Sequence, residues 1–339
     1  MLPEHEIIDG DTSGLARSVW TIAPRFCEMR NEVLADVGPN TARVRTLFSG
    51  ISGGTESLVY SGKIPASEFQ RMRAPFQAGD FPFPVKYGYA SVGVVEAGPD
   101  DWTGACVFVL HPHQDRYVVP VTSLTRVEPA CPPERAVLSA NMETALNAVW
   151  DGAIAPGERV AIIGAGVIGS LLAAILSRIA GVDVTMLDTD PARAARADHF
   201  GANFVSVTTD FQASTIEDFD CVFQASGHPA GLATALSIAG TEARIIDVSW
   251  YGSASVTLPL GEAFHSRRLQ IISSQVGSIA PARRSRFDHR RRMAVVQKLL
   301  LDDRLDALIG ARVAFDDLPR KFGHLLSQRS GQCPLVIYP

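Results

Sequence analysis

The stretch from Glu158 to Ala180, ERVAIIGAGVIGSLLAAILSRIA, restricts the fold of this chain more than any other part of it. An apolar run enters three glycines, Gly164, Gly166 and Gly169, in the spacing GxGxxG, and a helix-like run follows. Read as strand, turn and helix, each glycine has a task. Gly164 permits the tight turn, Gly166 lets a pyrophosphate approach the backbone, and Gly169 lets the helix pack close on the strand. Val167 and Ile168 open the helix, whose N-terminus then faces the phosphates. The segment is also long and apolar enough for a bilayer of about 20 residues. Its glycine spacing and its change of period argue for a buried strand and helix instead.

Asp188 ends the next apolar run, DVTML, and a carboxylate there suits the ribose hydroxyls of NAD and repels the extra phosphate of NADP. Arg193 and Arg196 follow closely and keep NADP open as an alternative. From Glu158 onward, apolar runs at Arg159 to Ile163, Asp183 to Leu187, Asp220 to Gln224, Ala243 to Val248 and Leu269 to Ser273 alternate with helical segments. This rhythm predicts an α/β fold with a doubly wound parallel sheet. Its strand-end loops place Ser226, Ser249 and Gln275 beside the dinucleotide, with Trp250 at the substrate side, in the core or at a subunit interface.

Before this region the pattern differs. Ala42 to Phe48, Ser91 to Ala97, Cys106 to Leu110 and Tyr117 to Val121 are short β-rich runs between Gly, Pro and Asp, so a twisted β domain comes first. A single helix is expected over Pro133 to Trp150, ending at the boundary Asp151-Gly152, and another from about His289 to Leu301, with a last strand over Pro334 to Tyr338.

The 339 residues are 46% hydrophobic with a net charge of −5, which sets aside nucleic acid and anionic membranes as partners. Five scattered cysteines, without a CxxC pair, fit reduced thiols. MLPEHEIIDG has neither the basic nor the apolar part of an export signal, so a cytoplasmic protein, expected as a homodimer, is the reading. One charged stretch stands out: Arg267, Arg268, Arg283, Arg284, Arg286, Arg290, Arg291 and Arg292, between His265 and Arg292. It is a solvated face or, together with Arg71, Arg73 and Lys86, a collar for an anionic substrate.

The order of domains, the glycine fingerprint, GISGGTE, YGYASVGVVEAG and METALNAV together resemble the medium-chain dehydrogenase/reductase superfamily. The resemblance implies a GroES-like catalytic domain over residues 1–148, completed by 280–339, and a Rossmann NAD-binding domain over 149–279, with the active site between them. In the zinc branch a cysteine precedes GTD, GHE follows, and a second cysteine precedes a threonine. Here Ser52 stands nearest the first ligand, Gly88-Tyr89-Ala90 replaces GHE, and Ala140-Asn141 ahead of Thr144 holds no cysteine. Zinc prefers thiolate, imidazole and carboxylate, so no zinc or other metal is expected. SGISGGTE and GYASVG look most like the zinc-lacking branch that includes bacteriochlorophyllide a dehydrogenase, which oxidises a secondary hydroxyethyl group to a ketone with NAD. That resemblance implies a zinc-independent oxidoreductase acting on a secondary alcohol or ketone, large or anionic. A quinone or enone reductase using NADPH and a non-catalytic dinucleotide-binding protein are the alternatives.

Without a metal, side chains must carry the proton. Tyr89 takes the place of the histidine ligand and becomes the expected donor to the substrate oxygen, with Lys86 placed to lower its pKa; a tyrosine packed under the loop is the plainer alternative. Thr55 matches the hydroxyl that starts a relay. Glu56 is a base or loop-orienting carboxylate, or a surface partner of an arginine. His113 is a relay residue and His111 a pocket wall, unless the His-x-His pair is structural or binds metal with Asp115 and Glu56. Thr144 matches a position near the nicotinamide, while Asn141 and Glu143 point from the same helix toward the substrate.

Overall fold

The computed structural model describes residues 14–208, 216, 218–328 and 330–339. The N-terminal decapeptide read for an export signal lies outside them. The first part of the chain forms β1 (Leu15–Ala23), β2 (Phe26–Val33), β3 (Thr41–Gly50), α1 (Thr55–Tyr60), β4 (Ala78–Gly79), β5 (Val85–Lys86), β6 (Ser91–Ala97), β7 (Cys106–Val109), β8 (Arg116–Pro120) and β9 (Thr125–Arg126). Two helices follow, α2 (Pro133–Ala136) and α3 (Ser139–Gly152). The second part holds β10 (Arg159–Ile163), α4 (Val167–Leu176), β11 (Asp183–Asp188), α5 (Ala194–His199), β12 (Asn203–Ser206), β13 (Phe219–Gln224), α6 (Pro229–Ile238), β14 (Ala239–Asp247) and β15 (Gln270–Ser273). The chain then returns through α7 (His289–Leu299), β16 (Ile309–Ala314), α8 (Leu318–Ser327) and β17 (Cys333–Ile337).

Three sheets result. One has the order β2-β1-β5-β4; a second runs β16-β17-β3-β6-β7-β9, with β8 paired to β3. The terminal strand thus enters the sheet of the first half, with Val336 opposite Ser49. The third sheet is parallel, ordered β12-β11-β10-β13-β14-β15. Its strand order reverses direction between β10 and β13, so the crevice at the carboxyl ends of those two strands is the switch point where such sheets take a ligand. Val160 sits opposite Val184 on one side and Cys221 on the other, and all three are buried. Strands covered on both faces read as continuous apolar runs, which is why VAII and CVFQ carry no alternation.

The expected single helix over Pro133 to Trp150 is two: α2 stops at Ala136, and the Ser139 hydroxyl takes the Ala136 carbonyl (2.7 Å) before α3 begins. The glycine and hydroxyl stretch after β3 turns into α1 at Thr55. Glu56, in the first turn of α1, accepts from the Ser52 amide (2.8 Å), so one of the orphan donors before the helix is satisfied by its own side chain. β1 and β2 form a hairpin that the sequence reading did not predict. One core runs from Val92 and Phe108 of the β domain through Leu138, Met142 and Leu146 to Ile162, Leu171 and Val296. The fold is therefore α/β, a GroES-like β domain joined to a Rossmann sheet.

Candidate active site

The glycine turn was tested by what a side chain would meet. At Gly164, whose φ is +99°, a Cβ would lie 2.7 Å from the Ser226 Cα; at Gly169 it would lie 1.9 Å from the Gly164 carbonyl oxygen. At Gly166 it would meet nothing within 4 Å. The outer two glycines are thus demanded by packing, and the middle one opens on a cradle at the N-terminus of α4, a ready anion site. Asp188 stands beside it at the end of β11, accepting from the amides of Ala165 (2.7 Å) and Asp190 (3.0 Å). These residues fit the pyrophosphate and ribose of a dinucleotide.

Arg193 and Arg196, the sequence-based candidates for a 2′-phosphate, both donate to the Ala165 carbonyl. Arg196 also holds the carbonyls of Ser330 and Gly331, tying the returning chain to the glycine turn. The hydroxyls of Ser226 and Ser249 work locally. Ser226 caps the His228 amide (3.1 Å), and Ser249 accepts from the Gly227 amide (3.1 Å) while donating to the Gln224 carbonyl (3.2 Å). The Ser226 backbone walls the turn at Gly164. Gln275 is exposed on the loop after β15.

The second group of residues meets in the β domain. Glu56 and His113, 2% exposed each, form a pair: Glu56 Oε2 lies 2.9 Å from His113 Nε2. His113 Nδ1 contacts Ser49 Oγ at 2.7 Å, and that hydroxyl contacts the Tyr338 phenol at 2.9 Å. Gly88 makes room for the imidazole, since with φ +130° its Cβ would lie 3.1–3.2 Å from the His113 ring and amide. Tyr89, the next residue, faces the side chains of Ser52 and Thr55. Burial and the Glu56 charge push its phenol up to about 12, against the pull of those two hydroxyls. A cavity of about 10 Å³, the size of one water position, lies against Glu56 and His113 and is bounded by Thr21, Tyr60 and Phe322.

Four expectations need correction. Lys86 does not lower the Tyr89 pKa: it is buried and donates to Glu32 (2.6 Å) and Gln114 (2.8 Å), while burial and the Glu56 charge move the phenol upward. Glu143 does not face a substrate, because it is buried against Arg292 (2.8 Å). His111 is not a pocket wall: its ring stacks on Tyr117 at 3.7 Å and on Phe76 at 5.5 Å, and desolvation pulls its pKa down to about 3. Glu56 is no surface partner of an arginine. The collar also thins, since Arg71 pairs with Glu68 and Arg73 with Asp80, while Arg292 is buried. Arg283, Arg284, Arg286, Arg290 and Arg291 remain exposed.

Asn141 and Thr144 are half-buried on one face of α3, and Thr144 turns its hydroxyl to the Ala140 carbonyl (3.0 Å). Trp250 and Tyr89 both pack against a cluster that holds Phe81 and Tyr87, as Phe83 does. Ser49 and Tyr338 were not singled out from the sequence, and Arg292 was read only as one of the arginine stretch. A serine inside the otherwise apolar end of a core strand was the available signal for Ser49.

At the place where the zinc branch has its ligands, this chain offers the hydroxyl of Ser52, the phenol of Tyr89 and the side chains of Ala140 and Asn141, a donor set that does not fit zinc. Among the described residues, no group of three His, Cys, Asp or Glu side chains is placed to hold a metal ion.

Comparison with known proteins bears on the fold and on the class of reaction. A family model described as ketopantoate reductase PanE/ApbA matches residues 160–233, from β10 into α6. The 2-desacetyl-2-hydroxyethyl bacteriochlorophyllide A dehydrogenase of Rhodobacter capsulatus is 28% identical over 249 residues, 68% of this chain and 71% of that protein. An alcohol dehydrogenase of E. coli CFT073, described as short-chain and solved with NADH, superposes with a TM-score of 0.78 at 17% identity, covering 96% of this chain and 99% of that one. The 2R,3R-butanediol dehydrogenase of Bacillus subtilis does so at 0.75 and 18% identity, over 95% and 99%. In fold the chain is similar to these alcohol dehydrogenases, and in sequence to the bacteriochlorophyllide dehydrogenase, which supports a place in the medium-chain dehydrogenase/reductase superfamily.

Proposed function

We propose that this protein is a zinc-independent oxidoreductase that moves a hydride between NAD(H) and a secondary alcohol or its ketone. An enzyme acting on CH–OH donors is what its named relatives support; zinc independence, NAD and the substrate are our reading. The observation that supports it is Tyr89 facing the Ser52 and Thr55 side chains close to the buried Glu56–His113 pair, at positions where the family resemblance implies metal ligands.

When bound, the nicotinamide cofactor supplies or accepts the hydride. The chain must then handle one proton. With its pKa pushed up, Tyr89 is a neutral phenol at ordinary pH, able to donate to a carbonyl oxygen and polarise it. In reduction the phenol proton passes to the substrate oxygen as the hydride reaches carbon. In our reading Tyr89 regains its proton from solvent, along a route past the Ser52 and Thr55 hydroxyls and the Glu56–His113 pair, and oxidation returns a proton to solvent the same way. Ser49 and Tyr338 hold the imidazole from its far side. Trp250, Phe83 and Tyr87 around Tyr89 favour a substrate with apolar surface next to the carbinol carbon.

The test is a panel of secondary alcohols, aryl and alkyl, with NAD and NADP, followed by nicotinamide absorbance. Turnover of a secondary alcohol with NAD supports the proposal. Turnover confined to enones or quinones with NADPH, or cofactor binding without any turnover, contradicts it.

A further inference from the structure

Three acidic or amide residues on one face of α3, Glu143, Asn147 and Asp151, are spaced one turn apart. Each reaches the same segment, the exit of β15. Asp151 accepts from the Ser274 hydroxyl (2.7 Å). Asn147 accepts from the Ala280 amide (3.3 Å) and donates to Asp151 (3.1 Å). Glu143 acts through Arg292 of α7, which donates to Glu143 Oε1 (2.8 and 3.1 Å), to Asn147 Oδ1 (2.7 Å) and to the Val276 carbonyl (2.6 Å). The arginine is 1% exposed, so an ionic group has been taken fully out of water to hold one backbone carbonyl and two α3 side chains. Residues 274, 276 and 280 are fastened, while Gln275 and Gly277 between them face outward.

In a doubly wound sheet one half of a dinucleotide lies over the first three strands, here with Asp188, and the other half over the strands beyond the switch point. The loop after β15 therefore borders the nicotinamide end. We infer that Arg292 is a positioning residue for that end: with Glu143, Asn147 and Asp151 it fixes the 274–280 loop so that Gln275 and Gly277 are presented to the nicotinamide. The inference rests on the dinucleotide reading given above. Lysine would keep the charge but lose the planar fork that spans three acceptors, so the two residues are not interchangeable here.

The experiment compares binding of NADH with binding of ADP-ribose, which lacks the nicotinamide, by calorimetry on the full chain. Arg292→Met is expected to weaken NADH by about tenfold or more while ADP-ribose stays within about twofold, with Arg292→Lys between wild type and Arg292→Met. Glu143→Gln, which keeps an acceptor for Arg292, gives a smaller loss of the same selectivity and serves should Arg292→Met fail to fold. Equal weakening of both ligands, or unchanged NADH affinity in a folded Arg292→Lys or Glu143→Gln protein, overturns the inference. Wild-type protein that binds neither ligand would instead overturn the dinucleotide reading.

Discussion

Glu56 Oε2 and His113 Nε2 lie 2.9 Å apart, 57 residues distant in the chain and both shut off from water. A buried carboxylate that is neither exposed nor held by arginine needs a polar partner, and here the partner is itself a proton carrier. Replacing Glu56 by alanine leaves the His113 ring nitrogen and the Ser52 amide without their acceptor. The expected cost is about 1–3 kcal/mol of stability, with turnover lost beyond what the fraction folded explains. Denaturant titration beside steady-state kinetics separates the two effects, and a Glu56→Ala enzyme with wild-type turnover would remove the pair from the proton route.

Tyr89→Phe keeps the ring against Tyr87 and deletes only the donor. We expect turnover to fall by about 10² or more while NADH affinity, read by calorimetry, stays unchanged. Turnover equal to wild type would assign Tyr89 to packing.

Asp188→Ala removes the carboxylate that accepts from the Ala165 amide and that we propose to hold the ribose. NADH affinity is expected to drop by about tenfold or more and NADPH affinity by less. Equal losses for the two cofactors would contradict the preference for NAD.

The pH dependence of stability has a sign at each end. The His111 pKa is about 3 in the fold, below its ordinary value, because burial disfavours the cation. Between about pH 6.5 and 3 the unfolded chain therefore binds the extra proton, and stability is lost as the pH is lowered, at up to about 1.4 kcal/mol per unit from this group. Tyr89, at about 12, acts at the other end: the unfolded phenol ionises first, so its contribution is present below pH ~10 and lost as pH rises toward 12. Thermal melts across pH should show both limbs, with the acid limb shallower in His111→Phe; an unchanged acid limb would contradict the burial argument for His111.

The Rossmann half was legible because backbone sterics write it locally: Gly164 and Gly169 each meet a neighbour that no side chain could tolerate, and the spacing follows. Tyr89 and Thr55 were found through their positions in a family pattern. The relay behind them was only partly visible. His113 could be guessed from its motif, but Ser49 and Tyr338 come together only when β17 pairs with β3. The β1–β2 hairpin escaped because Arg25 turns it with φ +62° at a residue that carries no turn signature. Arg292 was hidden in a run of like charges, where a solvated face is the ordinary reading, and tertiary packing alone separates it from its exposed neighbours Arg290 and Arg291.

The central claim, hydride transfer without a metal, is tested most directly by measuring zinc and activity together. Protein purified without chelator, then dialysed against one, should keep its turnover of a secondary alcohol while elemental analysis finds far less than one zinc per chain. Activity that disappears on dialysis and returns with added zinc would contradict the account.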